Sequence, residues 1–322
     1  MFRRVDQVGQ LDYVARQVAR LMARDGLTSA AALELMERLE PEGRRAAYEQ
    51  FRGALAGDAA PADSPLSTLW QLLATVRTSA PARVDQCVLS FVRHAQLAHG
   101  ALRDVVRGLR ASTSYSGALL AVLLVVAGLM EMFVVPSIAL LYRSMDAQLP
   151  PLAVAVVGSP WPLVAAVLIG MTLWMFSVAL ASGLTRAARN VAPLPPWLRA
   201  TALARNLARQ LDDLLYLQYL AALLDGAVAS ETAQRTAAQT IDPHGGYRPA
   251  EPLAGFLDGA AQLGLLTDEI NTQLDEQSQR LAIAADTLGR RLTLLLRLIV
   301  YSFIAIFVLA MYQPIFQLGS VV

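Results

Sequence analysis

Three long apolar stretches limit what this chain can fold into. They lie at about residues 117–141, 160–183 and 292–312, and each has the roughly 18 to 20 residues that a helix needs to cross a bilayer. Over the whole chain, 55% of residues are hydrophobic and 16% are charged. That balance is too apolar for a water-soluble domain and too charged for membrane helices alone. The composition therefore predicts a protein with one part in lipid and another in water.

The arginine residues predict how these stretches are oriented. Arginines precede the first stretch, follow the second and precede the third, whereas the connection between the first two holds only Arg143, which Asp146 balances. Because positive residues favour the cytoplasmic side, we expect the N-terminus in the cytoplasm and the C-terminus on the opposite side. The start of the chain has no positive segment followed by an apolar core, so a cleaved signal peptide is not expected.

The remaining segments have the pattern of helical bundles. Apolar residues recur at three- and four-residue intervals between Leu11 and Met22, and good helix formers dominate both segments. The predicted fold class is an all-α membrane protein with two cytoplasmic helical-bundle domains and three transmembrane helices. The predicted order is a first cytoplasmic domain (1–115), a transmembrane helix (116–142), an outer loop (143–159), a second transmembrane helix (160–183), a second cytoplasmic domain (184–291), a third transmembrane helix (292–313) and an outer tail (314–322).

The two predicted cytoplasmic domains share a local pattern that indicates a repeat. In each, an apolar helix ends in an aspartate followed by a glycine, Gly26 in the first and Gly226 in the second. Thr28 or Ser29 is expected to cap the next helix in the first domain, and Ser230 the next helix in the second. Both Asp-Gly pairs are interpreted as C-terminal turns of helices and not as ligands.

Several absences restrict the chemistry. All 27 basic residues are arginine, which excludes a P-loop ATPase or a Schiff-base enzyme because both need a lysine. The single Cys87 cannot form an internal disulfide, which fits a reducing cytoplasm. Cys87, His94 and His99 do not share one helical face, so we expect neither a metal site nor a cofactor. The net charge of +1 argues against nucleic-acid binding.

Together, four features resemble the inner-membrane platform protein of type IV pili and type II secretion systems, the type II secretion F family. They are the order of domains and spans, the repeated helical domain with Gly26 and Gly226, the first hairpin, and the C-terminal motif. The hairpin has Pro136 late in the first span and Pro150 in the outer loop, and the C-terminal motif comprises Tyr312, Pro314, Ile315, Phe316, Leu318 and Gly319. The resemblance covers nearly the whole chain. The N-terminal extension of longer members is missing, which indicates a compact subtype of the type IVb or conjugative pilus kind.

The resemblance implies a mechanical role and no enzymatic activity. Such proteins form homo-oligomers in the bacterial inner membrane, with the N-terminus in the cytoplasm and the C-terminus in the periplasm. They work with a cytoplasmic assembly ATPase and other inner-membrane assembly proteins, and they lift pilins or pseudopilins from the membrane lipid into a fibre. The alternative is a subunit of an oligomeric membrane transporter or channel, which would leave the two bulky soluble domains unexplained.

Glu131 is the candidate functional residue inside the membrane. An ionisable group in a spanning helix is costly and normally faces protein or a water-filled path. One interpretation is a carboxylate that reaches the outer interface or bonds to a neighbouring helix. The other is a group that marks the oligomer axis or receives the N-terminal amine of a pilin.

Arg16, Arg20 and Arg24 form a candidate docking surface, because they recur every four residues and share one helical face. The surface is either a solvated face or a docking site for an acidic surface of the ATPase, since arginine pairs with carboxylates through two hydrogen bonds. Pro136 and Pro314 are expected to bend or end helices. Gly170, with small residues nearby, could permit close contact between helices.

Overall fold

A computed structural model describes residues 2–39, 44–58, 67–134, 136–137, 140, 161–190, 193–243 and 247–321. Helices account for the regular structure of these residues, and none of them lies in a strand. The prediction of an all-helical protein is thus confirmed. The helices are α1 (Phe2–Asp25), α2 (Ser29–Leu39), α3 (Arg45–Ala56), α4 (Ser67–Ser79), α5 (Val84–Leu129), α6 (Trp161–Asn190), α7 (Pro196–Arg199), α8 (Arg205–Asp225), α9 (Ser230–Ile241), α10 (Leu253–Leu263) and α11 (Leu266–Val321).

The chain divides into two compact units, each built from segments that are distant in sequence. The first unit combines Met1–Val106 with Ser182–Ala285, and the second combines Arg107–Ala181 with Asp286–Val322. Most of both segments predicted to be cytoplasmic domains therefore belongs to the first unit. Helices α5 and α11 contribute residues to both units.

Helix α8 is the central helix of the first unit. Fifteen of its residues are buried, including Leu211, Leu215 and Tyr219, and it packs against α4, α7 and α9. A helix that is buried on every side belongs at the centre of a bundle. At the N-terminal end of the chain, α1 buries one face, with Leu11, Val14 and Val18, and packs against α2 and α3.

The two Asp-Gly turns end their helices in different ways. Gly26 has a φ of +65°, in the left-handed region that favours glycine. After α8, by contrast, Gly226 has a φ of −72° and Ala227 takes the left-handed conformation at +57°. The Ala227 N–H donates to the Leu224 carbonyl (2.8 Å), and the Val228 N–H donates to the Leu223 carbonyl (3.0 Å), which is the Schellman pattern. The positive φ thus falls one residue later than in the first turn.

The predicted caps differ in outcome. Thr28 caps α2, because its Oγ1 accepts a hydrogen bond from the Ala31 N–H at 3.3 Å. Ser29 instead bonds to Asp85, to which its N–H donates at 3.0 Å. The prediction that Ser230 caps α9 is wrong: Ser230 is the first helical residue, and Ala229 before it offers no side-chain acceptor.

The second unit has an apolar interior and an apolar exterior. Leu120 and Leu123 of α5 cluster with Leu296 and Val300 of α11, and Leu173, Trp174 and Phe303 pack against them. On the outside, Val125, Leu168 and Leu294 are 62%, 58% and 64% exposed. Two stretches among the described residues, Val106–Val126 and Val167–Ala187, are long and apolar enough to cross a membrane. The third predicted span is helical within α11, and its crossing stays a prediction.

Two glycines allow α5 and α6 to approach closely in the second unit. A Cβ on Gly170 would come within 2.6 Å of Leu120 Cδ2, and one on Gly117 within 2.8 Å of Trp174 Nε1. The Trp174 Nε1–H donates to the Thr113 carbonyl at 3.2 Å. The close helix contact predicted at Gly170 is therefore present.

Helix α11 does not end at Pro314, where the outer tail is predicted to begin. It continues to Val321, so Pro314, which has no backbone N–H to donate, lies inside the helix. Pro136 follows a π-helical turn at Met130–Val134. Pro150 and the predicted outer loop around it lie outside the described residues.

Candidate functional site

A cleft of about 590 Å³ opens in the first unit. Its walls come from α1, α5 and the start of α11, together with Asp225 at the end of α8. A volume of this size falls within the range of small-ligand sites in proteins. Its polar lining residues are Arg20, Gln86, Ser90, Arg93, His94, Gln96, Asp225 and Asn271.

The helical repeat explains why α5 presents so many polar groups to the cleft. Gln86, Ser90 and Arg93 recur at three- and four-residue intervals and therefore share one face of the helix. The adjacent face carries Cys87 and Phe91, which are buried in the core. On the facing wall, the small side chains of Ala19 and Ala23 of α1 leave room for the cleft.

His94 is the buried titratable group of the cleft, with 6% of its surface exposed. Its Nδ1 lies 3.2 Å from Ser90 Oγ, and its backbone carbonyl accepts a hydrogen bond from Gln218 Nε2 at 3.2 Å. Burial lowers the pKa of His94 below its ordinary value, and the charge of Arg93 acts in the same direction. A hydrogen bond to Asn271 and the charge of Asp225 oppose this shift. Burial is the larger effect, so the imidazole is neutral at pH 7.

Two exposed guanidinium groups give the cleft its positive charge. Arg20 and Arg93 both line it, and neither forms an ion pair with any other residue that the structure describes. The carboxylate of Asp225 is exposed in the same cleft. With His94 neutral, two positive charges face one negative charge, and this balance favours a ligand that carries negative groups.

The candidate docking surface, Arg16, Arg20 and Arg24, lies on the side of α1 opposite its buried face. Its three residues have different surroundings. Arg16 is half-buried, Arg20 lines the cleft, and Arg24 is exposed with its Nε 3.8 Å from an Asp25 carboxylate oxygen. The structure thus brings one of the three arginines into the cleft.

The remaining predicted site residues are not among those that line the cleft. The backbone of Glu131 is part of the π-helical turn Met130–Val134, and its side chain is outside the described residues. Pro314 and Gly319 lie within α11, and Pro136 is exposed. Gly26 ends α1, and Gly226 follows α8.

A pair of buried carboxylates was missed by sequence reasoning. Asp212 forms an ion pair with Arg199, and Asp213 accepts a hydrogen bond from the Tyr247 hydroxyl at 2.8 Å. Burial raises the pKa of Asp212 to about 6 despite the opposing charge of Arg199, and burial also raises the pKa of Asp213. Two consecutive acidic residues among the leucines of α8 were the signal that could have indicated this pair. The two bonds tie α7 and the segment before α10 to the central helix.

Across the described part of the chain, no three His, Cys, Asp or Glu side chains gather as metal ligands. Cys87 is buried, and burial raises the pKa of its thiol to about 12, with a further contribution from the charge of Asp225.

Comparison of the chain with protein-family models, curated proteins and solved structures gives no match.

Proposed function

We propose that the chain is an inner-membrane platform protein of a type IV pilus or type II secretion assembly machine. In this role it couples a separate cytoplasmic ATPase to the extraction of pilins or pseudopilins, and it makes or breaks no covalent bond itself. The observation that carries the proposal is the pairing of two unlike units, one with a buried apolar core and one with exposed apolar side chains. The motifs at Pro136, Gly226 and Gly319 direct the proposal to this particular machine.

The exposed apolar surface of the second unit supports a place in the membrane. Side chains such as Val125 and Leu168 are costly to expose to water and cost nothing to expose to lipid tails. Leu296, Val300 and Phe303 of α11 pack with the first two apolar helices, which supports a third crossing by residues 292–312. The arginine flanks support a cytoplasmic location for the first unit.

Helices α5 and α11 supply a mechanical route for the proposed coupling. Each is continuous and contributes residues to both units. A helix of 46 or 56 residues is held by a hydrogen bond at almost every residue. Force applied by an ATPase to the first unit would therefore reach the second unit along two covalent, hydrogen-bonded paths.

Co-purification tests the proposal directly. The full chain, tagged and extracted in a mild detergent, is co-expressed with any P-loop ATPase and any prepilin that neighbouring genes are found to encode. We expect the ATPase to co-elute as a hexamer with an oligomer of the chain. Charge reversal at Arg16, Arg20 and Arg24 together is expected to abolish this association if these arginines dock the ATPase.

Reconstitution into liposomes provides the opposing measurement. A platform protein is expected to give vesicles that stay sealed to ions and small solutes, with the prepilin bound in the same membrane. Substrate-dependent flux, together with the absence of the ATPase from the eluate, would overturn the proposal in favour of a transporter or channel subunit.

A further inference from the structure

Apart from Arg20, the cleft of the first unit carries binding groups that the proposed mechanical role does not use. It brings together residues of α1, α5, α8 and α11 that lie up to 252 positions apart in the chain, from Ala19 to Asn271. Its guanidinium groups are exposed and have no carboxylate partner among the described residues. Both guanidinium groups are therefore accessible to a ligand.

We infer that this cleft binds an acidic peptide segment of a partner protein, whose carboxylates pair with Arg20 and Arg93. A guanidinium offers two parallel N–H donors in a plane, which matches the two oxygens of a carboxylate. Arg20 comes from α1 and Arg93 from α5, so two acidic side chains of one segment have separate anchors.

The other lining groups suit a peptide backbone. The side-chain amides of Gln86, Gln96 and Asn271 each offer a donor and an acceptor, the same pair that every peptide unit presents. Leu89, with Ala19 and Ala23, provides an apolar patch for one aliphatic side chain of the segment.

A nucleotide fits the same groups less well. A triphosphate carries several negative charges at one point, and the Asp225 carboxylate in the cleft repels them. Among the described lining residues there is no Phe, Tyr or Trp, and the imidazole of His94 is buried, so a base would lack the exposed stacking surface that nucleotide bases commonly use. The single excess positive charge of the cleft matches a peptide in which carboxylates alternate with neutral residues.

The inference goes beyond the proposed function, and its test needs neither an ATPase nor a pilin. The full chain in a zwitterionic detergent is titrated into a fluorescently labelled peptide of alternating glutamate and leucine, and binding is followed by fluorescence anisotropy. A peptide with glutamine in place of glutamate is the control ligand. We expect the acidic peptide to bind and the neutral peptide to bind at least about tenfold more weakly, since hydrogen bonds to charged groups are stronger than those between neutral groups.

Three variants locate the site. The double variant Arg20→Gln, Arg93→Gln is expected to weaken binding of the acidic peptide at least about tenfold. Arg235→Gln removes an equal charge from α9, outside the cleft, and is expected to leave the affinity unchanged. Asp225→Asn removes the repelling carboxylate and is expected to tighten binding by about two- to fivefold.

If the double variant folds poorly, the tighter peptide binding expected of Asp225→Asn still tests the inference, because misfolding cannot raise an affinity. Equal affinity in the wild type and the folded double variant would overturn the inference, as would unchanged or weaker binding in Asp225→Asn. Displacement of the peptide by ATP or inorganic phosphate at lower concentration than the peptide itself would also overturn it and would assign the cleft to a phosphate ligand.

Discussion

At the scale of single residues, the turn after α8 shows how packing decides where glycine is placed. Gly226 has an ordinary φ, yet a Cβ there would come within 2.9 Å of Val76 Cγ2. Its neighbour Ala227 bears the positive φ. Glycine therefore stands at 226, where a side chain would collide with Val76. Alanine stands at 227 in the left-handed conformation, which costs roughly 1–2 kcal/mol for an L-residue.

Two substitutions at this turn are expected to act in opposite directions. Ala227→Gly relieves the left-handed strain and should raise the free energy of unfolding by about 0.5–1 kcal/mol. Gly226→Ala forces a shift of Val76 and should lower it by about 1–3 kcal/mol. Thermal unfolding of the two purified variants measures both effects. A lower midpoint for Ala227→Gly would contradict the assignment of the strain.

Asp212 makes stability depend on pH. Its pKa is about 6 in the folded chain against an ordinary value of 3.8, so the folded state binds more protons between these values. Its contribution is therefore fully present below pH 3.8 and is lost as pH rises through 6. Relative to Asp212→Asn, the wild type should lose on the order of 2 kcal/mol between pH 4 and pH 7. If the free energies of unfolding of the two proteins change equally with pH across this range, the raised pKa of Asp212 is contradicted.

At the scale of elements, the sequence predicted the features that depend on local residue patterns, such as helices. It did not predict the features that depend on contacts between distant segments, such as the cleft. Helices can be predicted from the periodicity of apolar residues, and candidate spans from the length of apolar stretches. The first two predicted apolar stretches lie in α5 and α6, which are helical as expected. The cleft could not be predicted, because α1, α5 and α11 meet only in the folded chain. Serine is a common N-cap residue, but Ser230 is the first residue inside α9, one position after the N-cap. The buried Asp212 could have been predicted, because it is an acidic residue in the apolar sequence of α8.

The contact between α5 and α6 is expected to depend on Gly170. Gly170→Ala places a Cβ against Leu120, a residue of the second unit's core, and should lower the thermal midpoint through a cost of about 1–3 kcal/mol. Gly128→Ala is the matched control in α5, because a Cβ there meets nothing within 4 Å. Equal midpoints for the two variants would show that the helices do not approach at Gly170.

At the scale of the whole molecule, the burial of Cys87 permits a clean test of the lipid-facing surface. Its side chain is buried and its thiol pKa is about 12, so the thiolate that reacts with labels is scarce at pH 7.5. The native chain is therefore expected to stay unlabelled when folded and to take up one label in denaturant. A cysteine introduced at an exposed position then reacts alone.

Leu168→Cys and Arg235→Cys provide the comparison that decides where each unit lies. Leu168 is an exposed apolar residue of α6 in the second unit, and Arg235 is an exposed residue of α9 in the first. A spin label at each site is examined in liposomes with oxygen, which concentrates in lipid, and with a water-soluble nickel chelate. We expect oxygen to relax the label at 168 and nickel to relax the label at 235, because apolar side chains this exposed are stable in lipid and costly in water. Relaxation of both labels by nickel would place the apolar surface in water, where a second protein would have to cover it.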